Sequence, residues 1–532
     1  MSSRSQAEMY EAHLNKQLSK QLGAIPVLLP IFEALGLVET VNHYCPGRDT
    51  ISHGVIALLL SLNRLMAPKP LYRVEEWVAE TILPDLLDVT PEQLYDVRLA
   101  RTLDDLYAHL TDIWATLVAR AVTVYDVDWS YFHYDITSVY FEGAYDGSEK
   151  ISYGLSRDHR SDTKQLNLAV NVTGGAGIPI LYQVLAGRTT DRRTPLDNLR
   201  ALRAVLDRPE LADRDPHYVL VSDQAMLDRQ VLAAYHEKGI RWLGPLHADA
   251  PLQALLAAVS ADELTAHPLP YRPRNQPAHE AHRYHGVLRQ TSLTHAGVSF
   301  PIQVLVVHSV TKAKLDREAR EKHLQRLLDR LTYIREKLNT KRYKQREYVH
   351  HQIQKALEGN PARRFVDVHL EGETGELVFT FTQDEEALAQ AAALDGRYLL
   401  GTNAVDLTAA QMLERFKGQE VVERRFRTVK GPIQVRPLYL QTEERIESLV
   451  LLVMVALLVF SLLELQCRRA GRDITAQRNL QIFEPYGAVY HHFTDGSVAR
   501  RASELSQEQA QLLMLLRFPP PATYLRRPEV TR

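Results

Sequence analysis

The first part of the chain spaces its apolar residues with the period of an α-helix. QLGAIPVLLPIFEALGLVETVNHY and SHGVIALLLSLNRLM place apolar side chains three and four residues apart, so that they share one helical face. Pro68 and Pro70 interrupt this pattern, because proline lacks the backbone donor that a helix interior needs. The pattern then resumes and continues to about residue 120. We therefore predict a helical N-terminal domain over residues 1–127.

The period changes to that of β-structure at residue 128. YFHYDITSVYFEG is rich in β-branched and aromatic residues, and QLNLAVNVTGGAGIPILYQVLAG contains two strands around a Gly-Gly turn. The helix TPLDNLRALRAVLD, the apolar strand HYVLVSD, another helix and the strand IRWLGPL follow. Three strands and then alternating helices and strands predict a mixed sheet with helices on its faces, an order that matches the ribonuclease-H-like fold.

Further strands and a charged helix, from about Lys312 to Leu357, then interrupt this core. We predict an α/β (mixed) fold: a ribonuclease-H-like core split by an α+β insertion, with a helical N-terminal domain. The predicted domains are 1–127 (helical), 128–246 (core, first part), 247–400 (insertion with strands and a long basic helix), 401–475 (core, second part) and 476–532 (a helix and a tail).

One apolar run is almost long enough to span a bilayer: IESLVLLVMVALLVFSLLEL, residues 446–465. A helix that is apolar all round can equally be buried in a large protein, and this is the interpretation we favour. The chain has 532 residues, of which 45% are hydrophobic and 24% charged, as in a folded soluble protein. The chain has two cysteines, Cys45 and Cys467, which lie far apart and without metal-ligand spacing. This count excludes a disulfide framework and favours a reducing cytoplasm. We therefore expect a cytoplasmic protein without a membrane segment.

Three acidic residues carry the candidate chemistry. Asp135 lies within a predicted strand, Asp223 ends an apolar strand, and Glu423 lies on a helix ahead of Arg427 and Lys430. Acids are disfavoured inside strands, and the carboxyl ends of sheet strands are where ligands usually bind. Mg²⁺ prefers carboxylate oxygens, and phosphodiester chemistry uses such ions. The acids therefore predict a metal site.

The chain resembles the bacterial insertion-sequence DDE transposases, in the branch with a Tyr-x2-Arg-x3-Glu-x6-Lys signature. In FKGQEVVERRFRTVK, Glu423 and Lys430 match the signature, whereas Phe416 replaces its Tyr and Gln419 its Arg. YDITSVYFEG and VSDQAM correspond to the first and second acid motifs, and the resemblance covers most of residues 30–465.

This resemblance implies that Asp135, Asp223 and Glu423 hold two Mg²⁺ or Mn²⁺ ions, which serve hydrolysis at transposon ends and strand transfer. The implied partner is double-stranded DNA, as terminal inverted repeats and as target, bound by a homodimer. The implied location is the bacterial cytoplasm, at the nucleoid when bound to DNA. The alternatives are a catalytically degenerate or repurposed DNA-binding protein, favoured by the replacements Phe416 and Gln419, and a structure-selective nuclease.

Several other residues are candidate DNA contacts. Lys430 and its neighbours Arg424, Arg425 and Arg427 either contact phosphates or form a solvated helix face. In the family, the Tyr and Arg that Phe416 and Gln419 replace are thought to contact the DNA backbone near the cleaved end.

Further candidates have both a functional and a structural interpretation. Trp242 either stacks on a flipped base or packs in the core. The long basic helix either follows DNA or is an ordinary exposed helix. His279, His282 and His285 either bind zinc or belong to a polar loop, which is favoured because no cysteine supports a zinc site.

Overall fold

The computed structural model describes residues 14–47, 49–141, 145, 147–154, 162–190, 194–213, 217–271, 283–433, 440 and 442–525. The chain forms two compact units. Unit 1 comprises Met1–Met226 and Gly418–Arg532, and unit 2 comprises Leu227–Lys417. Unit 2 thus begins earlier and ends later than the predicted insertion of residues 247–400.

The fold is mixed α/β. Its strands are β1 Leu14–Gln21, β2 Tyr131–Phe141, β3 Lys164–Thr173, β4 Pro179–Ala186, β5 Val219–Ser222, β6 Arg241–Pro245, β7 Pro268–Leu269, β8 Tyr284–His295, β9 Val298–Ser309, β10 Val366–Glu371, β11 Val378–Gln383, β12 Arg397–Thr402, β13 Gly487–Phe493 and β14 Val498–Ala502.

Helices precede, interrupt and follow these strands. They are α1 Ile25–Leu35, α2 Leu37–Tyr44, α3 His53–Met66, α4 Val74–Ala79, α5 Leu83–Leu87, α6 Asp96–Tyr107, α7 Leu110–Val124, α8 Pro195–Leu206, α9 Arg229–Glu237, α10 Ala250–Ala258, α11 Ala261–Thr265, α12 Val310–Lys337, α13 Arg346–Leu357, α14 Glu385–Ala393, α15 Ala409–Lys417, α16 Glu420–Lys430, α17 Glu443–Arg469, α18 Ala476–Phe483 and α19 Gln507–Leu516. Short 3-10 segments include Leu71–Arg73, Pro91–Leu94, Pro209–Leu211, Gln224–Met226, Lys341–Lys344, Pro361–Phe365 and Pro521–Leu525.

In unit 1, strands β4, β3, β2 and β5 lie side by side in that order. The pairs β4–β3 and β3–β2 are antiparallel, and β3 and β4 form the hairpin expected around the Gly-Gly turn. The pair β2–β5 is parallel, because α8, between β4 and β5 along the chain, carries it back across the sheet. Strand β5 ends at Ser222, opposite Tyr134, whereas β2 continues to Phe141.

Helix α17 runs through the core of unit 1. It is long and apolar enough to cross a membrane, but 94% of its apolar window is buried inside the fold. It contacts helices α1, α3, α6 and α7 and strand β4. Thr442 caps its N-terminus by accepting a hydrogen bond from the N–H of Arg445. Its burial confirms the core-helix interpretation of this apolar run.

The N-terminal part of unit 1 is not wholly helical. Strand β1 pairs antiparallel with β13, which pairs with β14, so segments from both ends of the chain share one small sheet. The prediction of helix for residues 14–21 was wrong. Leu14 and Leu18 are four residues apart, as in a helix, and the strand partner lies more than 450 residues further along the chain.

Unit 2 has strands in the order β6, β12, β9, β8 and β7, all antiparallel where they pair. A second, smaller core within it joins α12, α13, the segment Pro361–Phe365 and the β10–β11 hairpin. The long helix expected from Lys312 to Leu357 is broken between α12 and α13. Asn339 and Lys341 have positive φ angles of 59° and 43°, which a continuous helix does not allow.

Candidate functional site

Asp135 lies in the middle of β2, and Asp223 directly follows the last residue of β5. The parallel register of these strands pairs Tyr134 with Ser222. Continued by one residue, it sets Asp135 opposite Asp223, where neighbouring backbones are about 4.8 Å apart. Because side chains alternate along a strand, the Asp135 carboxylate belongs to the face of β2 opposite Tyr134. The fold therefore brings two of the three predicted acids to adjacent positions.

The backbone around these two acids is held by packing. The carbonyl of Asp223 accepts a hydrogen bond from the N–H of Met226 at 3.0 Å, which closes a short 3-10 turn. Met226 is buried in a cluster with residues of β2 and β3, namely Tyr134, Ile136 and Ala169. The turn after Asp223 is thereby fixed to the strand that carries Asp135. Asp135 is half-buried, and Asp223 is exposed.

Glu423 lies in the first turn of α16, which packs against β2 and β3. The face of this helix that is turned into the protein comprises Val421, Val422, Arg425, Phe426, Thr428 and Val429. Glu423 and Arg427, four residues apart, are exposed, and Lys430 is half-buried one turn further. Residues at this spacing follow one face of a helix, so the third acid and two predicted DNA contacts form a single stripe.

The chemistry of these acids fits a divalent ion, because hard cations such as Mg²⁺ and Mn²⁺ prefer carboxylate oxygens. Their placement fits in part, with two acids on adjacent strands and the third on a helix packed against the same sheet. Within the described ranges, no group of three or more His, Cys, Asp or Glu side chains is close enough to hold a metal. The three acids are therefore not gathered into a complete ligand set among the described residues.

Arg425 does not belong to the exposed stripe, although the sequence placed it there. Its side chain is 2% exposed. Its Nε donates to the carbonyl of Gly177, and one Nη donates to the carbonyl of Ala176, both at 2.8 Å. The other Nη pairs at 2.7 Å with the buried carboxylate of Glu464 on α17. Glu464 also accepts the N–H of Ala476, the first residue of α18, at 3.1 Å.

This buried ion pair fixes the helix that carries Glu423. Burial lowers the pKa of Arg425, and the nearby Glu464 carboxylate opposes that shift by favouring the charged form. At Gly177 (φ +65°) a Cβ would come within 2.5 Å of Val421 and 3.0 Å of Arg425, so glycine allows the close approach. Arg425 is thus a positioning residue rather than a DNA contact.

The other predicted DNA contacts occupy different surroundings. Gln419 is the N-cap residue of α16, is half-buried and makes no capping hydrogen bond through its side chain. Arg424 is half-buried, and its carbonyl accepts the hydroxyl of Thr428 at 3.0 Å. In unit 2, Phe416 is half-buried with its ring 6.4 Å from that of Tyr398. Their roles at DNA stay predictions.

Trp242 is a core residue of unit 2. Its side chain has no exposed surface, and β6, which carries it, pairs with β12. Stacking on a nucleotide base requires an accessible ring face. The structure therefore corrects the proposed DNA contact at Trp242 in favour of the packing interpretation. Of the three histidines considered for zinc, His279 and His282 lie outside the described residues, and His285 is on β8 with its ring 6.0 Å from that of His308.

Comparison with known proteins assigns the family. Residues 124–459, more than half of the chain, match the family model described as Transposase DDE domain, and the chain belongs to this family. The three acids lie inside this region. Residues 18–119 match a second family model, Domain of unknown function (DUF4277). No curated protein matches the chain in sequence.

Among solved structures, the chain is similar to the piggyBac transposase synaptic complex with hairpin DNA at 7% identity and a TM-score of 0.40. That match covers 88% of this chain and 82% of the other. It is also similar to the Mos1 transposase paired-end complex with the left transposon end, at 13% identity and a TM-score of 0.16, over 40% of this chain and 63% of the other.

Proposed function

We propose that this protein is a DNA transposase that hydrolyses DNA at the ends of its transposon and joins the freed ends to target DNA. The observation that carries the proposal is the adjacency of Asp135, on β2, and Asp223, directly after the parallel strand β5, within the matched transposase domain. Glu423 would complete the set from a helix packed on the same sheet. The assignment to the bacterial insertion-sequence branch rests on Glu423 and Lys430 at the spacing of the signature.

We assign a ribonuclease-H-like core to strands β4, β3, β2 and β5 with α16, split in sequence by unit 2. The N-terminal helices would bind DNA. The enzyme would work in the bacterial cytoplasm as a homodimer on DNA, because two transposon ends must be held together.

In the proposed reaction, a water oxygen attacks the phosphorus at the transposon end while the bond from phosphorus to the 3′-oxygen breaks. The products are a 3′-hydroxyl and a 5′-phosphate. The 3′-hydroxyl then attacks a phosphorus of the target, and a second 3′-oxygen leaves. Asp135, Asp223 and Glu423 would hold two Mg²⁺ or Mn²⁺ ions, which activate the attacking oxygen and stabilise the departing one.

The chain's own side chains would hold the DNA around this site. Arg427 and Lys430 follow Glu423 along its helical stripe, and Arg424 lies beside them. These side chains would contact phosphates next to the acids. Gln419 and Phe416 would lie near the cleaved end, as their counterparts do in the family. Gln419 can hydrogen-bond a phosphate but carries no charge, and Phe416 offers a ring without a hydroxyl.

The test is cleavage of a duplex that carries the terminal inverted repeats found beside the gene, with Mg²⁺ or with EDTA. We expect nicking at the repeat end by the wild type with Mg²⁺ only. Glu423→Gln and Asp223→Asn should lower the rate at least about 100-fold, because a lost metal ligand removes several kcal/mol of transition-state stabilisation. Glu420→Gln is the matched control, since Glu420 is also exposed in the first turn of α16. It should stay within about twofold of the wild type.

The second candidate function is DNA binding without cleavage, by a degenerate or repurposed transposase. It is favoured by the replacements at Phe416 and Gln419 and by the open arrangement of the three acids. Tight binding of the repeat by wild type and by both acid variants, with no nicking by any of them, would establish this function and refute the nuclease.

A further inference from the structure

A dense positive patch lies in unit 2, where α12 ends and α13 begins. Residues 330–346, which we call the basic turn, contain seven Lys or Arg and one acid, Glu336, whereas the whole chain has a net charge of -2. All seven basic side chains are exposed. Among the residues that the structure describes, none of the seven forms an ion pair, although three basic residues nearer the start of α12 do.

The basic turn has a defined shape. The side-chain amide of Asn339 (φ +59°) donates to the carbonyl of Leu377 and accepts from its N–H, both at 2.9 Å. The N–H of Gly375 donates to the carbonyl of Lys344 at 2.9 Å, which adds a second tie to the β10–β11 hairpin. Lys341 has a φ of +43°, a conformation that costs energy in residues other than glycine and is often found at functional sites. The charges are therefore presented on a fixed backbone.

The surroundings of the patch disfavour a membrane as its partner. A helix that binds a bilayer surface needs an exposed apolar face beside its basic one. The apolar stripe of α12 at this end, Leu327, Leu331 and Ile334, is buried in the smaller core of unit 2. The large hydrophobic side chain that is exposed in the basic turn is Tyr333, which is 43% exposed. Arg330 lies 5.5 Å from the centroid of its ring.

We infer that the basic turn is a second DNA-contact surface, separate in sequence from the acids and their stripe, which binds the phosphate backbone of double-stranded DNA without reading bases. The inference rests on the proposed function for the identity of the polyanion. Duplex DNA carries one charge per about 1.7 Å of its axis, so closely spaced Lys and Arg side chains that are not neutralised by ion pairs match it. Binding would release condensed counterions and would weaken steeply with salt.

The test uses the full-length protein and a labelled duplex of arbitrary sequence, with binding measured by fluorescence anisotropy from 50 to 300 mM salt. The test variant is Lys341→Gln/Arg342→Gln/Lys344→Gln. If all three side chains contact phosphates, the slope of log K against log salt should fall in magnitude by about 2–3. At 0.15 M salt the affinity should then drop on the order of 100-fold.

The matched control removes three charges from α12, the helix that leads into the basic turn: Lys314→Gln/Arg317→Gln/Lys322→Gln. These positions lie among Asp316, Glu318 and Glu321, so their local charge is largely compensated, and we expect the slope to change by less than about 1. Unchanged circular dichroism and urea midpoints verify folding of both variants. Equal slopes for wild type and test variant would overturn the inference, and so would equal losses in test and control variants.

Two further measurements separate this inference from its alternatives. In the first, binding of the wild type and of the test variant to vesicles that contain anionic phospholipid is measured in parallel. Loss of vesicle binding in the test variant, with DNA binding intact, would refute DNA as the partner. The repeat-cleavage assay reports separately on the proposed function. A wild type that binds duplex through the basic turn but never nicks refutes the nuclease alone, whereas normal nicking with an unchanged salt slope refutes the basic turn alone.

Discussion

The buried pair of Arg425 and Glu464 makes a quantitative prediction about stability. Arg425→Met keeps an unbranched apolar stem but removes the charge and every hydrogen-bond donor. Glu464, only 6% exposed, would then remain as an unpaired buried carboxylate. Breaking a buried ion pair from one side costs about 3–5 kcal/mol, because the remaining charge has lost its compensation.

The neighbouring groups refine this estimate. The carbonyl of Ala176 keeps a donor, because Arg468 also donates to it, at 3.2 Å. The carbonyl of Gly177 loses the hydrogen bond from Arg425, and an unsatisfied buried acceptor adds about 1–3 kcal/mol. We therefore expect the free energy of unfolding of unit 1 to fall by at least about 3 kcal/mol in Arg425→Met. The double variant Arg425→Met/Glu464→Leu should lose at least about 2 kcal/mol less than the sum of the two single variants, since it leaves no unpaired charge.

The assay is urea unfolding of the full-length protein, followed by circular dichroism, with cleavage of the repeat duplex measured in parallel. Arg427→Met is the stability control, because Arg427 is exposed on the same helix and should change stability by no more than about 0.5 kcal/mol. Cleavage should fall in Arg425→Met at urea-free conditions where the protein is still folded, because Glu423 is carried by the helix that Arg425 fixes. A cost below about 1 kcal/mol, or additive losses in the double variant, would refute the reasoning.

Two further predictions concern buried ionisable groups. Burial lowers the pKa of His53 below its usual value, despite Asp105 at 3.3 Å. As the pH falls below about 6.5, His53 therefore binds a proton more readily in the unfolded chain than in the folded protein, which destabilises the fold. The urea midpoint should drop between pH 7.5 and pH 5.5 and should drop less in His53→Gln, whereas equal drops would contradict this. Burial raises the pKa of Cys45 to about 11 and also raises that of Cys467. Neither thiol should react with a disulfide reagent at pH 8 until denaturant is added, and rapid labelling of the native protein would show that a thiol is accessible.

The neighbourhood of Asp135 and Asp223 could be predicted from local patterns. Each acid lies in or directly after a short apolar strand, and the helix between the strands implies a parallel return to the same sheet. The hydrophobic period and the composition of a segment predict such strands, because the burial of a strand depends on the apolar residues that it contains. The helical stripe of Glu423, Arg427 and Lys430 is predictable for the same reason.

Features that depend on distant partners were not predictable in this way. Strand β1 is mostly polar and becomes a strand only because β13 supplies hydrogen bonds from the other end of the chain. The break between α12 and α13 depends on Asn339, which adopts a positive φ while its amide is held by Leu377. For Trp242, the residues before and after it do not distinguish a buried indole from an exposed one. In each case the deciding contact joins residues that are far apart in sequence.

Arg425 shows how such a contact could have been found. Its position, three and four residues from Val421, Val422, Val429 and Thr428, places it on the apolar face of α16, where a charge is costly without a partner. Glu464 is the matching anomaly, an acid near the end of an otherwise apolar run. Two opposite charges, each misplaced on its own helix, predict each other, because pairing is what makes both tolerable in a core. Arg424 and Arg427 do not lie on the apolar face of α16. The helical periodicity that buries Arg425 therefore leaves these two arginines for solvent or DNA.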